Sequence, residues 1–181
     1  MILDTARLTL RPFQPDDIDR LAELMANADF MRFSLGVYDR EKTAAFLDKI
    51  MGWERAGIPS LFAVVIRPAP EETGSNVTLV GYCGFYHHPP EVTEDIEIGY
   101  RLDPNYWNRG LITEAALAVR DHAFRNLKLP RVISLIHPAN VPSRRVAEKI
   151  GMVLGKQIIY RGFPTNVFFQ TREQWAARSA A

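Results

Sequence analysis

The chain has 181 residues, 47% of them hydrophobic and 24% charged, with a formal net charge of +1. That composition suits one well-packed domain spanning 1–181, and it excludes both a mainly disordered chain and a strongly basic nucleic-acid binder. No apolar run approaches the roughly 20 residues that span a bilayer, and the single cysteine, Cys83, excludes an internal disulfide framework.

Charges at Asp4 and Arg7 leave no apolar core for a signal peptide, so the expectation is a soluble cytoplasmic protein. Arg7–Phe13 alternates polar and apolar, which predicts a half-buried strand. Pro15, Asp16 and Asp17 then signal a helix start, and Ile18, Leu21, Leu24 and Met25 follow at helical spacing. The three acids Asp16, Asp17 and Asp19 read as a solvated helix face. A second amphipathic helix is expected over 40–56, ended by Gly57 and Pro59.

Strands are expected over 61–66, 77–86 and 95–102, with an exposed, turn-rich hairpin loop over 67–76 between the first two. A long helix over 109–127, a strand over 131–137 and a helix over 141–150 come next. A final strand pair over 157–160 and 167–171 precedes a short helix over 172–177. This order predicts an α/β (α+β) fold around a mixed central β-sheet of about six to seven strands flanked by helices.

One stretch carries chemistry. A strand ends at Leu102, a Pro-Asn turn follows, and Gly110 opens the long helix. The first turn of a helix presents unpaired N–H groups and the positive end of its dipole, and a loop wrapping just before it adds donors. Such a corner suits a diphosphate, with Gly110 permitting close approach and Arg109 available as a charged contact. An ordinary strand-to-helix turn has the same outline.

The residues here resemble a known family. Ile96-Glu-Ile-Gly-Tyr-Arg-Leu-Asp-Pro104, Trp107-Asn-Arg-Gly110 and Thr113-Glu-Ala115 are similar to the acetyl-CoA motif of the GNAT superfamily, most of all its RimJ/RimL-type N-acetyltransferases. Asn140-Val-Pro-Ser143, continuing to Met152, resembles their second motif, and Thr5–Arg11 resembles their start. The resemblance implies the GNAT fold, acetyl-CoA as co-substrate, no metal, and direct transfer to an amine without an acyl-enzyme. It implies an acceptor that is a protein N-terminus or a small amine; the oligomeric expectation, a monomer or homodimer, does not come from the resemblance. The resemblance carries cofactor binding onto Leu102, Asn108, Arg109, Gly110, Leu111, Ile112, Thr113, Asn140 and Ser143. Ile112 departs from the pattern, since a small residue usually stands two places after the motif glycine. The competing reading is a non-catalytic acyl-CoA-binding sensor.

Within this resemblance Glu97 is the candidate base that takes the amine's proton, against the alternative of a solvated or ion-paired strand carboxylate. Alternation places Glu97 on the same strand face as Gly99, opposite Ile96 and Ile98. A main-chain donor for the thioester oxygen is expected within 99–102. Ser143 is the choice to protonate the leaving thiolate, with Tyr100 and Tyr106 in reserve, although Asn140 and Ser143 also suit helix capping. His87 and His88, being adjacent, point to opposite faces and so do not share a metal; a place lining the acceptor pocket is the better reading. Phe30, Phe33, Tyr38 and Trp53 are either acceptor-pocket walls or core. Cys83 reads as buried and inert.

Overall fold

The computed structural model describes residues 1–67 and 78–179. The expected hairpin loop, from residue 68 onward, and the first residue of the strand expected over 77–86 lie outside them. In chain order the elements are β1 (Leu3–Asp4), β2 (Leu8–Pro12), α1 (Ile18–Ala26), α2 (Arg40–Arg55), β3 (Leu61–Ile66), β4 (Leu79–Tyr86) and β5 (Ile96–Leu102). Then come α3 (Leu111–Arg125), β6 (Arg131–Ile136), α4 (Val141–Lys149), β7 (Val153–Tyr160), β8 (Phe163–Thr171) and α5 (Arg172–Ser179). Single 3-10 turns, Pro15–Asp17 and Pro104–Tyr106, precede α1 and follow β5.

The strands form one mixed sheet of eight, in the order β1-β2-β3-β4-β5-β6-β8-β7. That exceeds the expected six to seven by one short strand, β1. β1 is a two-residue bridge to β2, too short to show alternation. The terminal hairpin is longer than expected because β7 is an edge strand whose first residues, Val153 to Gln157, are all exposed, so burial imposes no period there. Arg161 and Gly162, both at positive φ (52° and 84°), join β7 to β8 as the two-residue turn that matches strand twist.

Each sheet face buries its own cluster. Leu8, Leu10, Phe85, Ile98, Ala115, Ala116 and Phe168 pack on the side of α3 and α4. Leu21, Met25, Leu47, Ile50, Val65 and Tyr82 pack on the side of α1 and α2. The expected solvated acidic face of α1 needs one correction. Asp17 is only 8% exposed and accepts two hydrogen bonds from the Arg11 guanidinium, at 2.8 and 2.7 Å, and one from the Gln14 N–H. A buried carboxylate needs such partners, and Arg11 on the neighbouring strand supplies them.

The feature that positions the site is the one parallel pairing among the described residues, β5 with β6. It runs through Ile96–Val132 and Glu97–Ile133 and then stops. Beyond it side chains replace backbone partners: Ser134 Oγ donates to the Ile98 carbonyl at 2.7 Å, and the Leu135 N–H donates to Glu97 Oε1 at 3.2 Å. The sheet opens from this point, with Gly99–Leu102 lining one side of the gap.

Candidate active site

The opened end of β5 leads straight into the glycine corner. Trp107 donates its indole N–H to the Leu102 carbonyl at 2.8 Å, folding the 3-10 turn back over the strand end. Asp103 is almost fully buried, takes an ion pair from Arg20 at 2.5 Å, and accepts from the Asn105 N–H. Asn108 (φ 60°) and Gly110 (φ 74°) both lie in the left-handed region, so the chain curls tightly before α3. Gly110 is the N-cap of α3, which starts at Leu111 rather than near Arg109 as expected. The N–H groups of Leu111, Ile112 and Thr113 therefore form its donor-rich first turn.

Long-range contacts brace this corner. Arg7 donates to the Arg109 carbonyl at 2.9 Å and forms an ion pair with Glu114 at 2.7 Å. The hydroxyl of Thr5 and the backbone N–H of Arg7 also donate to Glu114. Burial opposes the charge on Glu114, but these donors and the Arg7 cation outweigh it and hold the carboxyl below its ordinary value. Their stabilisation is therefore present above the ordinary glutamate range and fades as pH falls through the depressed value. Beside the corner an open groove of about 520 Å³ is lined by Thr5, Gly110, Thr113, Glu114, Ala118 and Lys149. The side chain of Ile112 packs against the core. Arg109, expected as a phosphate contact, rests its guanidinium over the Tyr106 ring, 5.2 Å from the centroid.

Across the gap, Asn140 is the N-cap of α4 and its side-chain oxygen accepts from the Ser143 N–H at 3.2 Å. The capping role is thus present, and Ser143 sits half-buried in the first turn. Tyr100 is turned to the same side and donates its hydroxyl to the Ser143 carbonyl at 2.8 Å. Burial pushes the Tyr100 phenol up, and its engaged proton makes it a poor reserve donor.

The other face of β5 carries Glu97, Gly99 and Arg101, as alternation predicts. Glu97 is 13% exposed and 2.6 Å from His88 Nε2, while His88 Nδ1 lies 3.3 Å from the Tyr160 hydroxyl. The two histidines do diverge: His87 turns to the Pro59 carbonyl at 2.6 Å and packs edge-on against Trp53. Arg101 donates to the Phe30 and Arg32 carbonyls and to Ser34 Oγ, fastening the α1–α2 loop to the strand that bears Glu97. The four aromatics divide. Phe30 is core, edge-on to Tyr82; Tyr38 and Trp53 are half-buried; Phe33 is exposed and stacks on His137. Burial also pushes the Tyr82 and Tyr86 phenols up. Cys83 is buried with its thiol pushed up by desolvation, which removes it as a nucleophile. Among the described residues no group of three or more His, Cys, Asp or Glu is placed to hold a metal ion, and no helix is long and apolar enough to cross a membrane.

Gly99 is a close-approach position. A Cβ there would lie 2.6 Å from the Tyr86 ring and 3.8 Å from Glu97 Oε1. Gly99→Ala should displace that ring and cost about 1–3 kcal/mol, read as a lower midpoint in thermal unfolding; an unchanged midpoint would show the ring is free to move aside.

Sequence reasoning singled out Glu97 and the glycine corner as candidates and did not anticipate the Arg7–Glu114 brace, the Arg101 tether or the pairing of His88 with Glu97. One signal was available: an acid in the first turn of a helix expected to hold a diphosphate needs a cation to neutralise it.

Comparison with known proteins identifies the family. Residues 7–153 match the family model described as acetyltransferase (GNAT) domain. The chain is 33% identical over 153 residues to YnaD of Bacillus subtilis, named as an uncharacterized N-acetyltransferase, covering 84% of this chain and 82% of that one. It superimposes on a GNAT-family acetyltransferase from Bacillus anthracis with a TM-score of 0.78 and 30% identity, covering 96% and 99% of the two chains. RimL, the ribosomal L7/L12 alpha-N-protein acetyltransferase, in complex with coenzyme A, shares the fold at a TM-score of 0.76 and 18% identity, with 94% and 98% covered. The chain belongs to the GNAT acetyltransferase family and is an acetyltransferase.

Proposed function

We propose that this protein transfers the acetyl group of acetyl-CoA directly to a primary amine, either a protein N-terminus or a small-molecule amine, within one domain over 1–181. The observation that carries the reading is the opening between β5 and β6, with Glu97 at its base and the N-terminus of α3 at its mouth.

The residues present fit the coenzyme. The corner from Asn108 to Thr113, with the backbone of Arg109 braced by Arg7, offers main-chain donors to the diphosphate at the positive end of α3. Leu102, on the side that β6 vacates, would hold the pantetheine arm against the strand end. The Asp103 N–H points to β4, where it donates to Val80, so alternation turns the N–H groups of Tyr100 and Leu102 into the gap. One of these, most directly Tyr100, meets the charge that develops on the thioester oxygen, a contribution of about 3 kcal/mol. Asn140 orients the acyl end, and the Ser143 hydroxyl supplies the proton for the departing sulfur.

An alkyl ammonium has a pKa of about 10 and a protein N-terminus about 8, so the acceptor must lose a proton before or during attack. Glu97 takes it as nitrogen bonds to the carbonyl carbon and the carbon–sulfur bond breaks. RimL, as named, acts on the α-amine of L7/L12, and that supports including N-terminal amines in the acceptor class.

The test is thiol release from acetyl-CoA against peptides with free N-termini and a set of small amines. Release with at least one class, and none with the same compounds acetylated beforehand, is expected. Coenzyme binding by calorimetry with no release from any amine would favour the sensor reading.

A further inference from the structure

We infer that His88 is a positioning residue for Glu97: it fixes one carboxylate oxygen and ties the basicity of Glu97 to the charge on an imidazole. This rests on the reading of Glu97 as the base.

The geometry comes first. His88 lies in the loop between β4 and β5, with 8% of its side chain exposed beside a Glu97 that is 13% exposed. Each Glu97 oxygen has one fixed partner, Oε1 the Leu135 N–H and Oε2 the His88 ring. At 2.6 Å two facing lone pairs would repel, so a proton lies between the atoms and Nε2 donates. That leaves Nδ1 as the position that gains or loses a proton, and it faces the Tyr160 hydroxyl, whose ring stands edge-on at 5.4 Å. Through Tyr160, on the edge hairpin, the pair reaches the protein surface.

Charge follows from this arrangement. A proton gained at Nδ1 places an imidazolium against Glu97 and lowers the carboxylate's affinity for the amine proton. The neutral ring still donates through Nε2 but adds no charge, so the working base is carboxylate beside neutral imidazole.

The other groups facing the pair do not switch in the same range. Tyr86 from β4, Tyr100 from β5 and Tyr160 from β7 all have their phenols pushed up by burial, so they stay neutral. Asp95, one pleat before Glu97, is paired with Arg131 at 2.5 Å. Arg101, two pleats after, and Arg161, over the Tyr160 ring, are permanent cations. From β6, besides Arg131, the Leu135 N–H reaches Glu97 Oε1. Imidazole is the one side-chain type here whose ordinary titration falls near neutral pH.

The test compares wild type, His88→Gln and His88→Ala by the pH dependence of kcat with a single amine, so that the amine's own titration is common to all. The Gln amide nitrogen stands where Nε2 does and can donate to Oε2, but it carries no titrating proton. His88→Gln should keep its high-pH plateau within about threefold while its acidic limb moves down by about one pH unit. His88→Ala should lose about tenfold or more of the plateau kcat, with KM for acetyl-CoA unchanged. An acidic limb superimposed on wild type in His88→Gln would overturn the proposal.

Glu97→Gln measured alongside separates the two claims: unchanged turnover there removes Glu97 as the base, whatever His88 does. A readout independent of variants at His88 is its imidazole titration by NMR. It should move to lower pH in Glu97→Gln, which lacks the anion that stabilises imidazolium, and an unmoved titration would also overturn the coupling.

Discussion

Glu97→Gln is expected to lower kcat by roughly 10²–10⁴, the usual span for loss of a general base, while KM for acetyl-CoA stays within about twofold. The substitution is close to isosteric and keeps both hydrogen bonds. The Gln oxygen can accept from the Leu135 N–H, and its amide can donate to His88 Nε2 once that ring carries its proton on Nδ1 instead, toward Tyr160. Folding is therefore preserved and the change isolates proton acceptance. The loss should be deepest with amines of high pKa and should shrink for weakly basic acceptors that are already neutral at the assay pH. Equal rates for the two proteins across the pH range would remove Glu97 from the mechanism and leave it a structural partner of His88.

Gly110→Val should act on the coenzyme instead. At φ 74° a β-branched residue is strained by about 1–3 kcal/mol. The cost is conformational rather than a clash, because an added Cβ meets nothing nearer than the Arg7 guanidinium at 3.5 Å. Relief of that strain turns the peptide planes that aim the first N–H groups of α3. The affinity for acetyl-CoA should fall about tenfold or more, since each 1.4 kcal/mol is a factor of ten, with a smaller effect on kcat at saturation. Gly57→Val is the matching control: Gly57 also has positive φ (70°), has open space around it, and lies past the end of α2. It should lower the unfolding midpoint without changing coenzyme affinity. Equal losses of affinity in both variants would mean general destabilisation, not a diphosphate corner.

The elements that were legible in the sequence are those whose burial imposes a period. β2 alternates because Leu8 and Leu10 face the core while Thr9 and Arg11 do not, and β3 reads as a continuous apolar run because both its faces are covered. β7 escaped notice over its first half because an exposed edge strand has no side to hide. β1 is too short for any pattern.

The same logic divides the site. Glu97 was legible twice, from the motif around it and from alternation along β5. His88 was legible only as one of two diverging histidines, because its partner depends on how the loop from Tyr86 to Ile96 folds back on β5. Arg7 and Glu114 lie 107 positions apart, and nothing local to either residue announces the other. Asp17 was misread because its neighbours in the helix are exposed, whereas the guanidinium that buries it comes from β2.

The measurement that bears most directly on this account is a crystal structure of the protein grown with coenzyme A. The diphosphate oxygens should accept hydrogen bonds from the main-chain N–H groups of Leu111, Ile112 and Thr113, with the pantetheine amides paired along Leu102 in the gap left by β6. A diphosphate bound elsewhere, with those N–H groups facing only solvent, would contradict it.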